Sequence, residues 1–271
     1  MTAMSDAPYP DTYHRWNWFR RSQWWPSFRE RMLASKGGSC GAVLKVLGSP
    51  AGKVVLDATC GLGRKTLVMS HLGMNVVGSD ANAYAVEKAR ELAAGEGRQI
   101  EFFVSEWRSL PSRTPRRFDA VFVDAFMDCC ETYGDVASSF AGIAACLNSG
   151  GLFIYPGPGP DERMTDILAQ AWKACERFYV DWRYTEQERE CTCVHAREKG
   201  PDFIDEHDLF VIREGGSAPR LETATIRRWF RWGRRCLDDA ARSAGFSRIH
   251  TETFDGYGSG GTTFTRIVAR K

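Results

Sequence analysis

The sequence predicts an α/β fold with a doubly wound, mostly parallel seven-stranded sheet, an aromatic N-terminal arm and an antiparallel insert in the C-terminal half. Three observations lead to this prediction. Between residues 53 and 155, short apolar runs alternate with helical patterns of about ten residues. A glycine turn, Gly61-Leu62-Gly63, follows the first of these runs. The proline- and glycine-rich stretch 156–160 then ends the alternation.

The alternating half supplies the parallel strands and the helices that connect them. Compact apolar runs predict the strands, and segments with apolar residues at helical spacing predict the helices. The predicted strands are 53–56, 75–78, 100–104, 118–123 and 152–155, and the predicted helices are 66–72, 83–94 and 136–147. Because a helix separates most consecutive strands, we expect right-handed crossovers and a parallel sheet.

The N-terminal segment differs in composition from the rest of the chain. Residues 1–40 are dense in Trp, Tyr, Phe and Arg, and Trp16 and Phe19 can share one face of a helix. We therefore expect an aromatic arm, able to act as a lid, followed by one large domain over residues 41–271.

The C-terminal half changes from helical crossovers to alternating stretches. These predict an antiparallel insert over residues 179–215. A helix is predicted over 223–244, ended by Gly245, because glycine is favoured just beyond the end of a helix. Two closing strands are predicted at 248–254 and 264–269.

The composition excludes several classes of protein. Lys and Arg total 36 against 34 Asp and Glu, so no global positive field attracts nucleic acid. No apolar run approaches the roughly 20 residues of a membrane span, and the first ten residues lack a secretory signal pattern. The 9 Cys are an odd number in a long chain, which favours reduced thiols. We expect a cytoplasmic enzyme that associates with neither membranes nor nucleic acid.

The glycine turn and the acids around it indicate the ligand. Gly61 and Gly63 allow a tight turn between strand and helix, and Asp80 ends the second strand where it can accept the hydroxyls of a ribose. Thr66 occupies the position of the third glycine of dinucleotide-binding turns. Asp57, at the end of the first strand, would repel a pyrophosphate but attract a cation. These residues suit S-adenosylmethionine, a nucleoside that carries a sulfonium and an ammonium group.

At these residues the chain resembles the class I S-adenosylmethionine-dependent methyltransferases, whose fold is Rossmann-like. The matching segments are 56–63, 79–80, 105–110, 118–124 and 148–152, and they cover about residues 53–155. The resemblance implies that S-adenosylmethionine is bound by Asp57, Gly61, Gly63, Asp80, Ala81, Glu106, Trp107 and Asp124. We expect Lys36 or Arg31 to pair with its methionyl carboxylate and S-adenosylhomocysteine to be the product.

Within that superfamily the chain is most similar to glycine N-methyltransferase and its small-molecule relatives. The shared features are the aromatic arm, the Glu106-Trp107 step, the antiparallel insert and a late helix that ends in Ala244-Gly245-Phe246. The loop 124–128 lacks the asparagine–serine pair of glycine N-methyltransferase, and 156–159 is unusual. The resemblance implies a small metabolite as acceptor, methylated at an amine or guanidine nitrogen, and a substrate cover formed by the insert.

Methyl transfer needs alignment more than a specialised nucleophile, so few side chains are predicted to take part directly. Asp124 and Tyr13 are the predicted catalytic residues, and no metal is predicted. The predicted substrate-binding residues are Trp16, Trp24, Phe126 and Met127. The arm and the insert also offer surfaces for a homodimer.

Three alternatives remain open. A natural-product O- or C-methyltransferase needs a general base, for which His195, His207 and His250 are the late candidates. An RNA or protein methyltransferase would use the basic, aromatic stretch 227–235, which we expect instead to form a helix with one apolar face. A non-catalytic module would only bind S-adenosylmethionine.

The Cys191-x-Cys193-x-His195 spacing invites a zinc hypothesis. Residues at this spacing on one strand point to the same face of a sheet, and zinc sites more often use Cys-x-x-Cys. We expect a partly buried sheet face rather than a metal site at these residues.

Overall fold

The computed structural model describes residues 9–35, 38–157, 163–174, 177–255 and 263–271. The strands of these ranges are β1 (Val54–Asp57), β2 (Asn75–Asp80), β3 (Glu101–Val104), β4 (Phe118–Phe122), β5 (Leu147–Pro156), β6 (Phe178–Glu186), β7 (Arg189–Lys199), β8 (Phe203–Glu214), β9 (Arg220–Trp229), β10 (Arg248–Asp255) and β11 (Thr263–Arg270). The helices are α1 (Asp11–Phe19), α2 (Arg21–Ala34), α3 (Gly41–Leu47), α4 (Arg64–His71), α5 (Ala83–Gly95), α6 (Leu110–Arg113), α7 (Tyr133–Cys146), α8 (Met164–Ala174) and α9 (Arg234–Ser243).

The main sheet of the described residues has seven strands in the order β10-β11-β5-β4-β1-β2-β3. Strands β1 to β5 are parallel, whereas β11 runs antiparallel to both β5 and β10. The chain order reverses at β1, so the carboxyl ends of β1 and β4 lie side by side there. The predicted mostly parallel seven-stranded sheet is confirmed.

Helices cover the main sheet on both faces, because alternate residues of each strand point to opposite sides. Leu56 of β1 lies in one core with Leu237 of α9, whereas its neighbour Val55 lies in the other core with Leu67 of α4. Such strands are buried on both faces, which explains the continuous apolar runs in the sequence. Within the described ranges, none of the helices combines the length and apolar character that a bilayer crossing requires.

The predicted antiparallel insert is present as a four-stranded sheet, β6-β7-β8-β9, which we call the second sheet. One of its faces packs against α1. The Trp16 and Phe210 ring centroids lie 6.2 Å apart, and the Phe19 and Tyr184 centroids 5.2 Å apart. Thus the arm joins the second sheet through one apolar face of α1.

The helix predicted over residues 223–244 is wrong in its first part. Strand β9 extends to Trp229, and α9 begins only at Arg234. Burial alternates along β9, with Ala224 and Ile226 buried and the residues beside them exposed, as expected for a strand on a half-buried sheet. Helix α9 ends just before Gly245, which has a φ of 96°.

Candidate active site

The carboxyl ends of β1 to β4 open onto a cavity of about 450 Å³, which lies within the usual range of about 300–1,000 Å³ for ligand pockets. Turns after the four strands supply much of the wall: 58–62, Asp80, Ala81, 105–108, Asp124 and Ala125. Residues in or next to helices complete it: Tyr9, Tyr13, His14, Asn17, Trp24, Arg64, Lys65, 129–131, Asp135 and Ser139. The cavity therefore combines the predicted cofactor motifs with the N-terminal arm.

Asp80 lies on the wall and organises the glycine turn. Its Oδ2 accepts a hydrogen bond from the Gly61 backbone N–H at 2.9 Å, and its Oδ1 accepts one from the Asn82 backbone N–H at 2.9 Å. A carboxylate has about four acceptor positions, so these two hydrogen bonds do not use all of them. Burial raises the pKa of Asp80 above its usual value. This geometry fits a carboxylate that receives the two hydroxyls of a ribose.

The glycine turn needs its second glycine for space as well as conformation. Gly63 has a φ of 82°, in the left-handed region, and lies beside α5. A Cβ at this position would lie 3.0 Å from the Cβ of Ala89. Gly63 therefore lets α4 begin close to α5, behind the wall.

Asp57 lies behind the cavity wall, at the end of β1, and is 1% exposed. Its Oδ2 accepts a hydrogen bond from the Thr66 hydroxyl at 2.6 Å, and its Oδ1 accepts one from the Thr59 N–H at 3.3 Å. Burial raises its pKa to about 7 despite these hydrogen bonds. Thr66, which replaces the third glycine of a dinucleotide turn, thus fastens Asp57 to α4.

The turn after β3 places Glu106 and Trp107 on the wall, as their predicted role in binding adenine requires. The Trp107 indole N–H donates to the Ala58 carbonyl oxygen at 2.8 Å, which ties this turn to the glycine turn. Helix α7 packs directly on it. A Cβ at Gly142 of α7 would lie 2.2 Å from the Trp107 carbonyl oxygen, so only glycine fits there without a shift.

Asp124, after β4, is held by two cations. Lys65 pairs with its Oδ2 and Arg266 with its Oδ1. Burial disfavours the ionised form, but the charges of Lys65 and Arg266 outweigh it and lower the pKa of Asp124 to about 2. Asp124 is therefore ionised at neutral pH and is a very weak base.

Sequence reasoning missed both partners of Asp124. Lys65 follows the glycine turn by two residues, and Arg266 is a charge within the apolar run of β11. A charge in a strand buried on both faces signals a buried ion pair, because an unpaired charge there is costly. That pattern was the available signal for Arg266.

The arm contributes the imidazole and three of the four aromatic side chains of the described wall. Tyr9, Tyr13 and His14 precede or lie on α1, and Trp24 lies on α2. His14 is 5% exposed, and neither of its ring nitrogens has a hydrogen-bond partner among the described residues. Burial lowers its pKa to about 4, so the ring is neutral at pH 7. Neither Tyr9 nor His14 was among the predicted site residues, because a single His in an aromatic run carries no pattern.

Several predicted substrate-binding side chains lie behind the wall: Trp16, Phe126 and Met127. Trp16 faces the second sheet, and its indole N–H donates to Glu222 at 2.7 Å. Phe126 is fully buried, with its ring centroid 5.0 Å from that of Trp107, so it supports the turn after β3 from below. Trp24 reaches the wall. Lys36 lies outside the described residues.

Arg64 and Lys65 are the described cations on the wall beside the glycine turn. The Arg64 guanidinium lies 5.1 Å from the Trp24 ring centroid and makes no ion pair with a described carboxylate. Cations at this position suit the methionyl carboxylate of S-adenosylmethionine, the role predicted for Lys36 or Arg31.

The basic stretch 227–235 is largely paired within the molecule. Its ion pairs are Arg227 with Asp205, Arg228 with Asp128 and Glu206, Arg231 with Asp202, and Arg234 with Asp238. The Trp232 indole N–H also donates to the Cys130 carbonyl oxygen at 2.8 Å. These contacts fix the segment 128–131, part of which lines the cavity, to the end of the second sheet.

The late histidines lie away from the wall. His195 pairs with Asp208 at 2.7 Å on the second sheet, and His250 lies 3.2 Å from Glu252 on the outer strand β10. Cys191 and Cys193 are buried in the apolar core of the second sheet. In the described ranges no three His, Cys, Asp or Glu side chains come together as a metal site.

Comparisons with known proteins agree with this arrangement. Residues 55–151 match a family described as "Methyltransferase domain". A curated relative, tRNA (uracil(54)-C(5))-methyltransferase of Pyrococcus furiosus, is 37% identical over 73 residues. That match covers 27% of this chain and only 17% of the relative.

Solved structures match over most of the chain. CalS10, an amino pentose methyltransferase from Micromonospora echinaspora solved with bound S-adenosylmethionine, has a TM-score of 0.58 at 18% identity, over 86% of this chain and 89% of its own. The sugar N-methyltransferase KedS8 from Streptoalloteichus sp. has a TM-score of 0.64 at 13% identity, over 86% of each chain. The strand order and the ordered motifs agree with the methyltransferase domain matched over residues 55–151, and the solved structures share its fold.

Proposed function

We propose that the chain is an S-adenosylmethionine-dependent methyltransferase that acts on a nitrogen, an amine or guanidine, of a small metabolite. S-adenosylmethionine supplies an activated methyl group, which in-line attack by the acceptor nitrogen transfers while the C–S bond breaks and S-adenosylhomocysteine leaves. We assign Asp80 to the ribose, the Glu106–Trp107 turn to the adenine, and Arg64 with Lys65 to the methionyl carboxylate. Each of these residues lies on the wall of one cavity.

The size and the lining of the cavity support a small acceptor. A volume of about 450 Å³ has to hold the donor as well, and side chains of α1 and α2 line the same space. An RNA methyltransferase that used the basic stretch 227–235 would need its arginines free to contact phosphates. Most of these arginines instead form ion pairs within the molecule. These observations favour a metabolite over a macromolecule.

The observation that carries the nitrogen assignment is the weakness of Asp124 and His14 as bases. The pKa of Asp124 is lowered to about 2, by two cations against the effect of burial, and the pKa of His14 is lowered to about 4 by burial. Removing a proton from a hydroxyl needs a base of higher pKa. An amine that binds in its neutral form needs no such base, because its lone pair is already free to attack.

The structural relatives support the same class of acceptor. Two of them are described as an amino pentose methyltransferase and a sugar N-methyltransferase. An amino sugar is therefore a suitable first acceptor to test. The narrower resemblance to glycine N-methyltransferase stays a prediction.

One observation favours a second candidate, an O-methyltransferase. Both ring nitrogens of His14 lack described partners although the side chain is nearly completely buried. Unpaired buried polar atoms are uncommon, and an acceptor hydroxyl could supply the missing partner. In that case His14 would take the proton.

Matched acceptors distinguish the two candidates. We expect S-adenosylhomocysteine to form with amino sugars and other primary amines and not with the corresponding hydroxyl compounds, when both are supplied at equal concentration. Mass spectrometry of the products gives the methylated atom. Turnover of phenols or sugar hydroxyls alone would contradict the nitrogen assignment. A protein that binds the donor but turns over none of the acceptors would be the non-catalytic module.

The buried His14 predicts a specific dependence of stability on pH. Its pKa is lowered to about 4 in the folded state, so between pH 6.5 and 4 the unfolded chain binds a proton that the folded chain does not. The free energy of unfolding should therefore fall as the pH is lowered through this window, by up to about 3 kcal/mol from this group. His14→Gln should remove this dependence.

Urea unfolding at pH 7 and pH 4.5 tests it. The difference between the two pH values should be smaller in His14→Gln than in the wild type by about 2 kcal/mol. Asp57 has an opposite dependence, but it is present in both proteins and cancels. The exposed His250→Gln is the matched control and should behave as the wild type. Identical pH dependence in His14→Gln and the wild type would show that folding does not lower the pKa of His14.

A further inference from the structure

We propose that Asn82 is a positioning residue that couples docking of the arm to binding of the methyl donor. This inference rests on the proposed assignment of Asp80 to the donor ribose. Asn82 follows Asp80 by two residues, between β2 and α5, and is 2% exposed. Its backbone and its side chain serve different parts of the molecule.

The first contacts of Asn82 belong to the donor site and to α5. Its backbone N–H donates to Asp80 Oδ1 at 2.9 Å. Its side-chain Oδ1 accepts the Ala85 N–H at 2.8 Å and caps α5. Because the oxygen of the amide must face Ala85, the amide nitrogen must face the opposite way.

The amide nitrogen faces the start of the arm. Nδ2 donates to Asp11 Oδ1 at 2.7 Å and to the Tyr9 carbonyl oxygen at 3.2 Å. Both amide hydrogens therefore form hydrogen bonds at the start of α1, one to its first residue and one to the segment just before it. The cavity-facing residues Tyr13 and His14 follow within the same helix, so this bond pair fixes where they lie over the cavity.

The backbone contact of Asn82 with Asp80 and its side-chain contacts with the arm together couple donor binding to docking of the arm. Ribose hydroxyls that bind Asp80 restrain the segment 80–82, and the restrained Asn82 amide holds Asp11 and Tyr9 in place. By linkage, the docked arm must raise the affinity for the donor by the same factor. Couplings between sites typically amount to about 5- to 150-fold in affinity.

The rest of α1 has anchors of its own. The Trp16 indole N–H bonds to Glu222 at 2.7 Å, and the Trp16 ring packs on the second sheet. Loss of the Asn82 bonds should therefore free the first turn of α1 without detaching the arm. A small effect on folding and a large effect on donor affinity are expected.

Three variants test the coupling. Asn82→Asp keeps an oxygen for the Ala85 cap but loses both donors and faces the Asp11 carboxylate. Asp11→Ala removes the acceptor of the hydrogen bond from Asn82 Nδ2. Asp11 is exposed and lies outside the donor site, so that site is unchanged. Asn82→Asp combined with Asp11→Asn restores a hydrogen bond with donor and acceptor exchanged.

The measurements are the dissociation constant of S-adenosylhomocysteine and hydrogen exchange of residues 11–19 with and without it. In the wild type, S-adenosylhomocysteine should slow exchange in 11–19. Asn82→Asp and Asp11→Ala should each weaken its binding about tenfold and abolish this slowing at saturation, while exchange at the start of α5 stays unchanged. The exchanged pair should recover most of the affinity and the slowing.

Two results would overturn the proposal. One is Asp11→Ala with wild-type affinity for S-adenosylhomocysteine. The other is full slowing of exchange in 11–19 in Asn82→Asp saturated with this ligand. No acceptor is present in these experiments, so their outcome is independent of whether the enzyme methylates nitrogen. A merely structural role for Asn82 would change stability without changing the response of 11–19 to the ligand.

Discussion

Asp124→Ala should lower the free energy of unfolding by about 3 kcal/mol. The substitution leaves Arg266, whose side chain is 5% exposed, and Lys65 without their carboxylate. Breaking a buried pair by removing one partner costs about 3–5 kcal/mol, and we expect the lower end because Asp124 itself faces the cavity. Chemical denaturation of wild type and variant at pH 7 measures the difference.

A matched control and a double variant show whether the effect comes from the buried charge. Glu101→Ala breaks the exposed pair with Arg116 and should cost less than about 1 kcal/mol. Asp124→Ala combined with Arg266→Met removes both buried charges and should recover part of the lost stability. If Asp124→Ala costs no more than Glu101→Ala, the two cations do not depend on Asp124.

Gly142→Ala should destabilise the protein and weaken donor binding together. An alanine Cβ would lie 2.2 Å from the Trp107 carbonyl oxygen and 2.9 Å from the Arg108 Cα. Both neighbours are backbone, so either α7 or the adenine turn must move. Overpacking of this kind costs about 1–3 kcal/mol, which exceeds the gain of about 1 kcal/mol in helix propensity.

Thermal unfolding and titration with S-adenosylhomocysteine measure the two effects. We expect a lower melting temperature and an affinity reduced about tenfold, since the displaced turn carries Glu106 and Trp107. Gly134→Ala in the same helix is the control, because its Cβ would make an ordinary contact of 3.5 Å with Thr132. It should keep wild-type affinity. Wild-type affinity in Gly142→Ala would instead show that the adenine turn tolerates the shift.

Much of the main sheet was predictable because its signals are local. Strands buried on both faces give continuous apolar runs, and the glycine turn marks where the first strand ends. Strand β9 was mistaken for part of a helix because the run 227–232 mixes Arg and aromatic side chains at spacings that suit either structure. This segment is a strand because it pairs with β8. Arg227, for example, lies opposite Asp205, which is 22 residues earlier in the sequence.

The positions of several predicted cofactor-binding residues around one cavity were predictable for a similar reason. Residues that follow parallel strands meet at one edge of the sheet, so the sequence alone predicts that Asp80, Glu106 and Asp124 lie close together. Asp57 also lies at the end of a parallel strand, yet its side chain bonds to Thr66 and does not line the cavity. A rule about strand ends gives the neighbourhood of a side chain and not its direction.

The acceptor side could not be predicted, because it depends on contacts between distant parts of the chain. Arg266 reaches Asp124 across 142 residues. Phe126 was expected at the acceptor, but the turn after β4 buries it under Trp107. His14 reaches the cavity only because the opposite face of α1, with Trp16, is taken up by the second sheet.

The most direct test is calorimetric titration with S-adenosylmethionine, S-adenosylhomocysteine and a nicotinamide dinucleotide. The wild type should bind both adenosyl compounds and not the dinucleotide. Asp80→Asn should weaken this binding about 10- to 100-fold, because hydrogen bonds to a charged acceptor contribute about 1.5–3 kcal/mol.

Asp119→Asn is the control for that titration. The Asp119 carboxylate also bridges two strands, since it accepts the Val54 N–H at 2.8 Å and the Asn148 amide at 2.9 Å. Asp119 lies near the amino end of β4, whereas the cavity lies at the carboxyl ends of the strands. The affinity of the Asp119→Asn variant for S-adenosylhomocysteine should equal that of the wild type. Saturable binding of the dinucleotide with none of either adenosyl compound, or equal affinities in Asp80→Asn and Asp119→Asn, would contradict a donor site built on Asp80 and the glycine turn.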